Sequence, residues 1–220
     1  MSKTALITGS SNGIGKEIAL AMAKNGFELV LTYNSGKKEA EQVAAECRKS
    51  GNEVLVLHLD ITDNKSIKEC VRKTVEKFKK IDILVNNAGV ISWKRLKEQS
   101  FEEIEAQVRT NLEGLIKMTY ECLPYVKEMV INVASGAGKT AYGGLSTYCA
   151  TKFGVRGFTQ AIAQEYFKLK VYSLNPTTTA TRMTNFEGTS PEKVAEIALK
   201  VAKGEYKLKS GSDVDVWDLV

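Results

Sequence analysis

Tyr148 and Lys152 are the residues whose types and spacing most directly suggest chemistry, within Tyr148-Cys149-Ala150-Thr151-Lys152. Four positions apart on a helix, a phenol and an ammonium share one face. A free phenol titrates near pH 10, too high for ready proton exchange at neutral pH. A cation about 4 Å away is worth up to roughly 4 kcal/mol at an effective dielectric of 20, or about three pKa units. The pair predicts a general acid–base whose pKa is lowered by Lys152, although ordinary surface pairs share this pattern.

A glycine-rich segment near the start of the chain could bind phosphate. It reads Thr8-Gly9-Ser10-Ser11-Asn12-Gly13-Ile14-Gly15. Glycines let a backbone approach a pyrophosphate closely, and the N-terminus of a following helix offers unpaired N–H groups with partial positive charge. The segment follows an apolar strand and opens an amphipathic helix, the context that a dinucleotide site requires. The residues predicted to contact the cofactor here are Gly9, Ser11, Asn12, Gly13, Ile14 and Gly15.

The elements that must position these residues follow an alternating pattern. Strands are predicted at 4–8, 29–33, 54–59, 83–85, 129–133, 171–174 and 214–217. Helical periodicity lies between them, including long helices over about 101–123 and 148–168 and a last one over 191–203. Such alternation predicts an α/β fold, a doubly wound parallel sheet (Rossmann fold) of about seven strands with helices on both faces.

Composition excludes several other classes of protein. The 220 residues suit one domain, residues 1–220, and the net charge of +5 comes from scattered lysines, which predicts no nucleic-acid binding. The four cysteines form no CxxC pair and His58 is the single histidine, so no metal site is expected. The longest uninterrupted apolar run has six residues, 18–23, and Met1-Ser2-Lys3 leads directly into a strand. We therefore expect no membrane span, no signal peptide and a cytoplasmic location.

Taken together, these features resemble the short-chain dehydrogenase/reductase family, in its single-domain branch and near the 3-oxoacyl-carrier-protein reductase group. The glycine segment matches that family's Thr-Gly-x-x-x-Gly-Ile-Gly, and Asn86-Asn87-Ala88-Gly89 matches its Asn-Asn-Ala-Gly after the fourth strand. Ser135 lies 13 positions before Tyr148 and Asn111 lies 37 before it, at the spacing of the family's Asn-Ser-Tyr-Lys tetrad. The resemblance covers nearly the whole chain.

The resemblance implies hydride transfer between a nicotinamide and a small carbonyl or alcohol substrate. Tyr148 would exchange a proton with the substrate oxygen, and Ser135 would hydrogen-bond that oxygen. Lys152 would hold the nicotinamide ribose and lower the pKa of Tyr148, while Asn111 would link Lys152 to a proton relay, through its backbone and a water. Further implied cofactor contacts are Thr32, Asp60 (against the adenine), Ile61, Asn87, Ala88, Gly89, Pro176 and Thr181.

The end of the second strand bears on the choice of cofactor. NAD-specific relatives place a carboxylate there, whereas this chain reads Thr32-Tyr33-Asn34-Ser35 and has none before Glu39. Lys37 and Lys38 follow and could reach a phosphate, so we predict NADP(H) over NAD(H). Two features weigh against this: Asn12 replaces a basic residue of many NADP-using relatives, and no Arg lies near Ser35. Lys37 and Lys38 also suit an ordinary solvated helix start.

The substrate side carries less information. A short lid is expected at 182–190, Trp93 and Tyr142 are candidate substrate walls, and Thr177 stands where the family has Gly. The resemblance implies a homodimer or homotetramer. Two alternatives stay open: a catalytically silent cofactor-binding sensor or scaffold, and an extended-branch sugar-nucleotide epimerase or dehydratase. The tyrosine and lysine argue against the first, and the 68 residues after Lys152 are few for the second.

Overall fold

Seven parallel strands form the sheet of the computed structural model, which describes residues 2–219 and so leaves out Met1 and Val220 of the predicted domain. The strands are β1 (Thr4–Ile7), β2 (Glu28–Tyr33), β3 (Val54–His58), β4 (Ile81–Asn86), β5 (Val126–Val133), β6 (Lys170–Asn175) and β7 (Asp213–Asp215). Their order is β3-β2-β1-β4-β5-β6-β7, with every neighbouring pair parallel. The order reverses at β1 and β4, where such sheets bind ligands beyond the strands' carboxyl ends.

Helices cover both faces of this sheet. They are α1 (Gly13–Lys24), α2 (Lys37–Arg48), α3 (Asn64–Phe78), α4 (Phe101–Val108), α5 (Leu115–Cys122), α6 (Ser146–Glu165) and α7 (Pro191–Lys203). A π-helical segment, Arg109–Gly114, joins α4 to α5. The helix predicted over 101–123 is therefore continuous from Phe101 to Cys122 but is not α-helical throughout. The predicted doubly wound fold is confirmed.

Alternate residues of each central strand serve two separate cores. In β1, Ala5 and Ile7 pack with Ile18 of α1 and Val194 of α7, whereas Leu6 packs on the other face with Met118 of α5. Both faces of the strands are therefore buried, which explains why they appear in the sequence as continuous apolar runs. The result is a rigid platform whose carboxyl edge holds the loops that could bind a ligand.

Strand boundaries differ from the prediction where pairing partners decide them. β4 and β5 begin at Ile81 and Val126 rather than near residues 83 and 129, because Ile81 pairs with Val126 across a register irregularity. The last strand is Asp213–Asp215, and Val216–Asp218 forms a 3₁₀ turn instead of continuing the strand predicted over 214–217. Among residues 2–219, none of the helices has the length and hydrophobicity that crossing a bilayer requires.

Candidate active site

A cleft of about 1120 Å³ opens at the carboxyl edge of the sheet. It brings together most of the predicted site residues, which belong to the ends of β1 to β6, to the start of α1 and to α6. Those that line it are Gly9, Ser11, Asn12, Gly13, Ile14, Thr32, Asp60, Ile61, Asn87, Ala88, Gly89, Ser135, Tyr148, Lys152, Pro176 and Thr181. Gly15, Lys37 and Asn111 do not line it.

The glycine turn is packed tightly against the segment that follows β4. Gly9 has φ +64°, and a Cβ on it would lie 3.0 Å from Ala88 Cα. A Cβ on Gly15 would lie 2.4 Å from Asn87 Nδ2. Gly15 therefore lies beneath the turn, where it leaves room for the Asn87 side chain, and not in the cleft. The Asn87 amide donates to the carbonyls of Thr8 and Gly9, both at 2.9 Å. The side chain of Asn87 thus shapes the turn from below.

Hydroxyl groups tie the ends of β1, β2 and β4 together. The Thr8 hydroxyl accepts from the backbone N–H groups of Asn87 and Ala88, at 2.9 and 3.0 Å. The Thr32 hydroxyl accepts from the Gly9 N–H at 3.1 Å. Asn12, the N-cap of α1, makes no side-chain capping bond, so that end of the helix is open to a phosphate. These residues fit the pyrophosphate of a dinucleotide.

The ends of β2 and β3 form a second region of the cleft, suited to an adenosine. Asp60 accepts hydrogen bonds from the side chain and backbone of Thr62, at 2.7 and 2.9 Å, which hold the pKa of its carboxyl below its usual value. Lys37 is exposed and lies outside the cleft, whereas Glu39 lines it. A carboxylate oxygen of Glu39 lies 3.4 Å from where a Cβ on Gly36 would be. From the sequence, Glu39 is identified only as the first carboxylate after β2 and is not placed in the site, whereas in the structure it lines the cleft.

Tyr148 and Lys152 occupy the inner wall of the cleft. Burial raises the pKa of Tyr148 to about 12, against a smaller lowering by the Ser135 hydroxyl. Lys152 lies with Nζ 5.6 Å from the centroid of the Tyr148 ring and donates to the carbonyl of Val133 at 2.9 Å. Burial lowers the pKa of Lys152 to about 8. In the protein alone the pKa of Tyr148 is thus raised and not lowered as predicted, because desolvation outweighs the hydrogen bond with Ser135.

Ser135 is the second residue after β5 and lines the same wall of the cleft. Its hydroxyl accepts from the Ala137 N–H at 3.1 Å and caps a short 3₁₀ turn, which leaves its own proton available to another acceptor. The next residue, Gly136, donates its N–H to the carbonyl of Pro176 at 2.8 Å, joining the ends of β5 and β6. Thr177 lies outside the positive-φ region, so the backbone there does not require the glycine that the family pattern has.

Asn111 lies behind this wall, in the π-helical segment. It is fully buried; its Oδ1 accepts from the Val90 N–H and its Nδ2 donates to the Val90 carbonyl, both at 2.8 Å. The same Nδ2 reaches the Thr151 hydroxyl at 3.3 Å. The side chain of Asn111 therefore joins the loop after β4 to α6. The link from the Asn111 backbone to a proton relay stays a prediction.

The outer mouth of the cleft is formed by aromatic residues and by the predicted lid. Trp93 lines the cleft and donates its indole N–H to the carbonyl of Met183, in the predicted lid segment, at 3.0 Å. Tyr142 lines it as well, as does Trp217, which sequence reasoning missed because it lies far along the chain. Within residues 2–219, His, Cys, Asp and Glu side chains form no group of three or more that could hold a metal ion.

Comparisons with known proteins agree with this geometry. A sequence profile of the short chain dehydrogenase family matches residues 3–191. The 3-oxoacyl-(acyl-carrier-protein) reductase of Staphylococcus epidermidis is 35% identical over 172 residues, 75% of this chain and 69% of the relative. The corresponding reductase of Synechocystis is 34% identical over 167 residues, 74% of this chain and 68% of the relative.

Solved structures show the same fold. An alcohol dehydrogenase from the archaeon Thermococcus sibiricus, complexed with 5-hydroxy-NADP, superposes with a TM-score of 0.90 at 27% identity, covering 98% of this chain and 96% of that one. A dehydrogenase/reductase from Sinorhizobium meliloti has a TM-score of 0.92 at 24% identity, covering 98% and 94%. The chain belongs to the short-chain dehydrogenase family and is an NAD(P)-dependent oxidoreductase that acts on carbonyl and alcohol groups.

Proposed function

We propose that this protein reduces small-molecule ketones or aldehydes to alcohols with Tyr148 as the general acid–base. The observation that carries the proposal is that Tyr148, Ser135 and Lys152 line one cleft with the glycine turn. A bound nicotinamide cofactor would supply the hydride, and the protein would supply placement and electrostatics. The glycine turn, the open N-terminus of α1 and the loop after β4 would hold it.

The protonation states of the wall residues suit reduction. With a pKa of about 12, the Tyr148 phenol keeps its proton at neutral pH and can donate it to a substrate oxygen. The Ser135 hydroxyl can donate to the same oxygen as negative charge develops on it. Lys152, with a pKa of about 8, is mostly charged at pH 7 and can bind a ribose hydroxyl. We assign the catalytic roles to these three residues and a supporting role to Asn111.

The proposed cofactor preference is NADP(H) over NAD(H). None of the three residues that follow β2 at the adenosine end carries a carboxylate: these are Asn34, Ser35 and Gly36. Helix α2 begins at Lys37, so the partial positive charge of its N-terminus can favour a 2′-phosphate. The relative from Thermococcus sibiricus is complexed with an NADP derivative, which supports the same choice. Glu39, at the same end, opposes it, and we expect the preference to be moderate.

The Tyr148→Phe variant tests the catalytic assignment. We expect its turnover to fall by about 10²- to 10⁴-fold, the usual contribution of a positioned acid–base, because the ring still packs but has no proton to give. Cofactor affinity, measured by NADPH fluorescence, should stay within about twofold. Tyr166→Phe, at an exposed position after α6, is the matched control. Undiminished turnover in Tyr148→Phe would remove the assignment, and absence of turnover in the wild type with every carbonyl offered would favour a sensor.

Assembly, lid and location complete the proposal. Ile116 and Tyr120 on α5 and Phe153 on α6 are exposed apolar residues, which supports a homodimer or homotetramer built on these helices. Light scattering coupled to size exclusion tests this, and a species near 24.2 kDa alone would contradict it.

Residues 182–190 serve as a short lid of a single domain in this proposal. The four cysteines are buried free thiols, which supports a location in a reducing compartment such as the cytoplasm.

A further inference from the structure

Trp217 forms part of the cleft close to the residues of the proposed reaction. An atom of its ring lies 3.4 Å from where a Cβ on Gly136 would be, and Gly136 directly follows Ser135. Lys139 Nζ lies 5.5 Å from the centroid of the same ring, in a cation–π arrangement. The indole therefore stands beside the Ser135 loop, where the part of a substrate next to its carbonyl would lie.

The segment that carries Trp217 is fixed on both sides of it. Asp215, the last residue of β7, accepts from the Asn175 amide at 2.7 Å and forms an ion pair with Lys139. Val216 is fully buried in the core that contains α1 and α7. Trp217 is thus held in place as part of the cleft wall. The positive charge of the Lys139 ammonium is balanced by the carboxylate of Asp215.

Aromatic residues from other parts of the chain line the same mouth. Trp93 is 58% exposed and is tied to the lid by its hydrogen bond to the Met183 carbonyl, and Tyr142 is 52% exposed. Trp217 itself is 37% exposed. Exposed apolar surface that gathers around one cleft usually marks a ligand site, because covering it with an apolar group releases water.

We propose that the preferred substrate is a carbonyl compound with a flat or cyclic apolar group, and that Trp217 selects it by stacking against that group. Aromatic faces favour flat partners over flexible chains, since stacking fills the contact area with little loss of conformational freedom. This inference rests on the proposed carbonyl reduction and names the substrate class of that site.

The test compares a bicyclic ketone, 1-tetralone, with a small acyclic one, 2-butanone. We expect the wild-type enzyme to favour 1-tetralone in kcat/KM, and Trp217→Ala to reduce the 1-tetralone to 2-butanone ratio at least tenfold. Trp217→Phe, which keeps an aromatic face, should retain most of the ratio. Phe167→Ala, at an exposed position beyond α6, should leave it unchanged. An unchanged ratio in Trp217→Ala, or a wild-type preference for 2-butanone, would overturn the inference.

A binding measurement separates this inference from the proposed function. The chain has two tryptophans, so in Trp93→Phe the indole emission comes from Trp217 alone. We expect 1-tetralone to quench that emission saturably, in the presence of NADP⁺, and 2-butanone to do so at least tenfold more weakly. Quenching without turnover in the wild type would defeat the proposed reaction while keeping the site. Turnover without selective quenching would defeat the role of Trp217.

Discussion

Burial, more than charge pairing, sets the protonation of the two titrating residues at the centre of the cleft. Tyr148 and Lys152 are both nearly inaccessible to water, and burial disfavours the charged form of each. The phenol therefore holds its proton more firmly, and the ammonium holds its proton less firmly, than either would in solution. Of the two, Lys152 is the group that changes state just above neutral pH.

This depressed pKa predicts a pH-dependent difference in stability that needs no activity measurement. Between the pKa of about 8 in the folded protein and the ordinary value of 10.5, the unfolded chain binds the extra proton, so stability rises with pH. In Lys152→Met this rise is lost. We expect the wild type to gain up to about 3 kcal/mol relative to the variant between pH 7 and pH 10, measured by urea unfolding.

The exposed residue Lys168 supplies the control for that comparison, since Lys168→Met should follow the wild type across the same range. The titration of Tyr148 does not contribute to this difference in stability. Its pKa is raised, so its contribution is present below pH 10 and is lost only as pH rises toward about 12, in both proteins. Parallel profiles for Lys152→Met and the wild type would show that Lys152 is not desolvated as described.

A second residue-scale prediction concerns Glu39 and the choice of cofactor. A carboxylate at the adenosine end repels a 2′-phosphate, and a like-charge contact at a partly exposed site is worth on the order of 1 kcal/mol or more. Glu39→Gln should strengthen NADPH binding about fivefold to tenfold and leave NADH binding nearly unchanged, as measured by fluorescence titration. Glu41→Gln, on the outer side of α2, is the control. Equal effects on both cofactors would place Glu39 away from the 2′ position.

At the scale of elements, the turn between β1 and α1 is constrained by close packing. A Cβ on Gly15 would lie 2.5 Å from the carbonyl oxygen of Gly9, a backbone atom that cannot easily move. Gly15→Ala should therefore destabilise the fold by about 1–3 kcal/mol, as overpacking does, and weaken cofactor binding. Thermal unfolding and NADPH titration would measure the two effects.

Gly157 offers the opposite case within the same chain. It lies inside α6, and a Cβ there would meet nothing within 4 Å. Gly157→Ala should stabilise a single subunit by about 0.5–1 kcal/mol, since alanine restricts the unfolded chain and suits a helix. Gly157 lies one helical turn after Phe153, so the comparison is made at a protein concentration where the subunits are dissociated. If both alanine variants behave alike, the packing described for Gly15 is wrong.

The elements that the sequence predicted well are those whose pattern is local. The first strand, glycine turn and helix follow from apolar periodicity and glycine spacing, and α7 begins at Pro191 and ends at Lys203 as expected. The π-helical segment around Asn111 and the three-residue β7 depend on contacts with distant elements, which periodicity does not encode. The same holds for Trp217, which enters the cleft only because the chain folds back, and for the raised pKa of Tyr148, which depends on burial.

For the whole molecule, the reversal of strand order explains why distant segments meet in one cleft. Hydrogen bonds between strand ends, such as those from Asn87 to the turn after β1, join the loops into one connected edge. Because the sheet beneath is buried on both faces, this edge is presented by a rigid support. A ligand that spans the cleft should therefore stabilise segments far apart in sequence at the same time.

Amide hydrogen exchange can test that expectation on the intact protein. NADPH at about 100 times its Kd should stabilise the fold by about 2.7 kcal/mol and slow exchange around the whole cleft, in residues 9–15, 34–39, 60–62, 87–90, 135–140 and 177–184. Adenosine 2′,5′-diphosphate lacks the nicotinamide half, so it should protect 34–39 and 60–62 without local protection at 135–140 and 177–184. If both ligands protect the same segments equally, the Ser135 loop and the lid respond only to global stabilisation. The cofactor would then not bind along the path described.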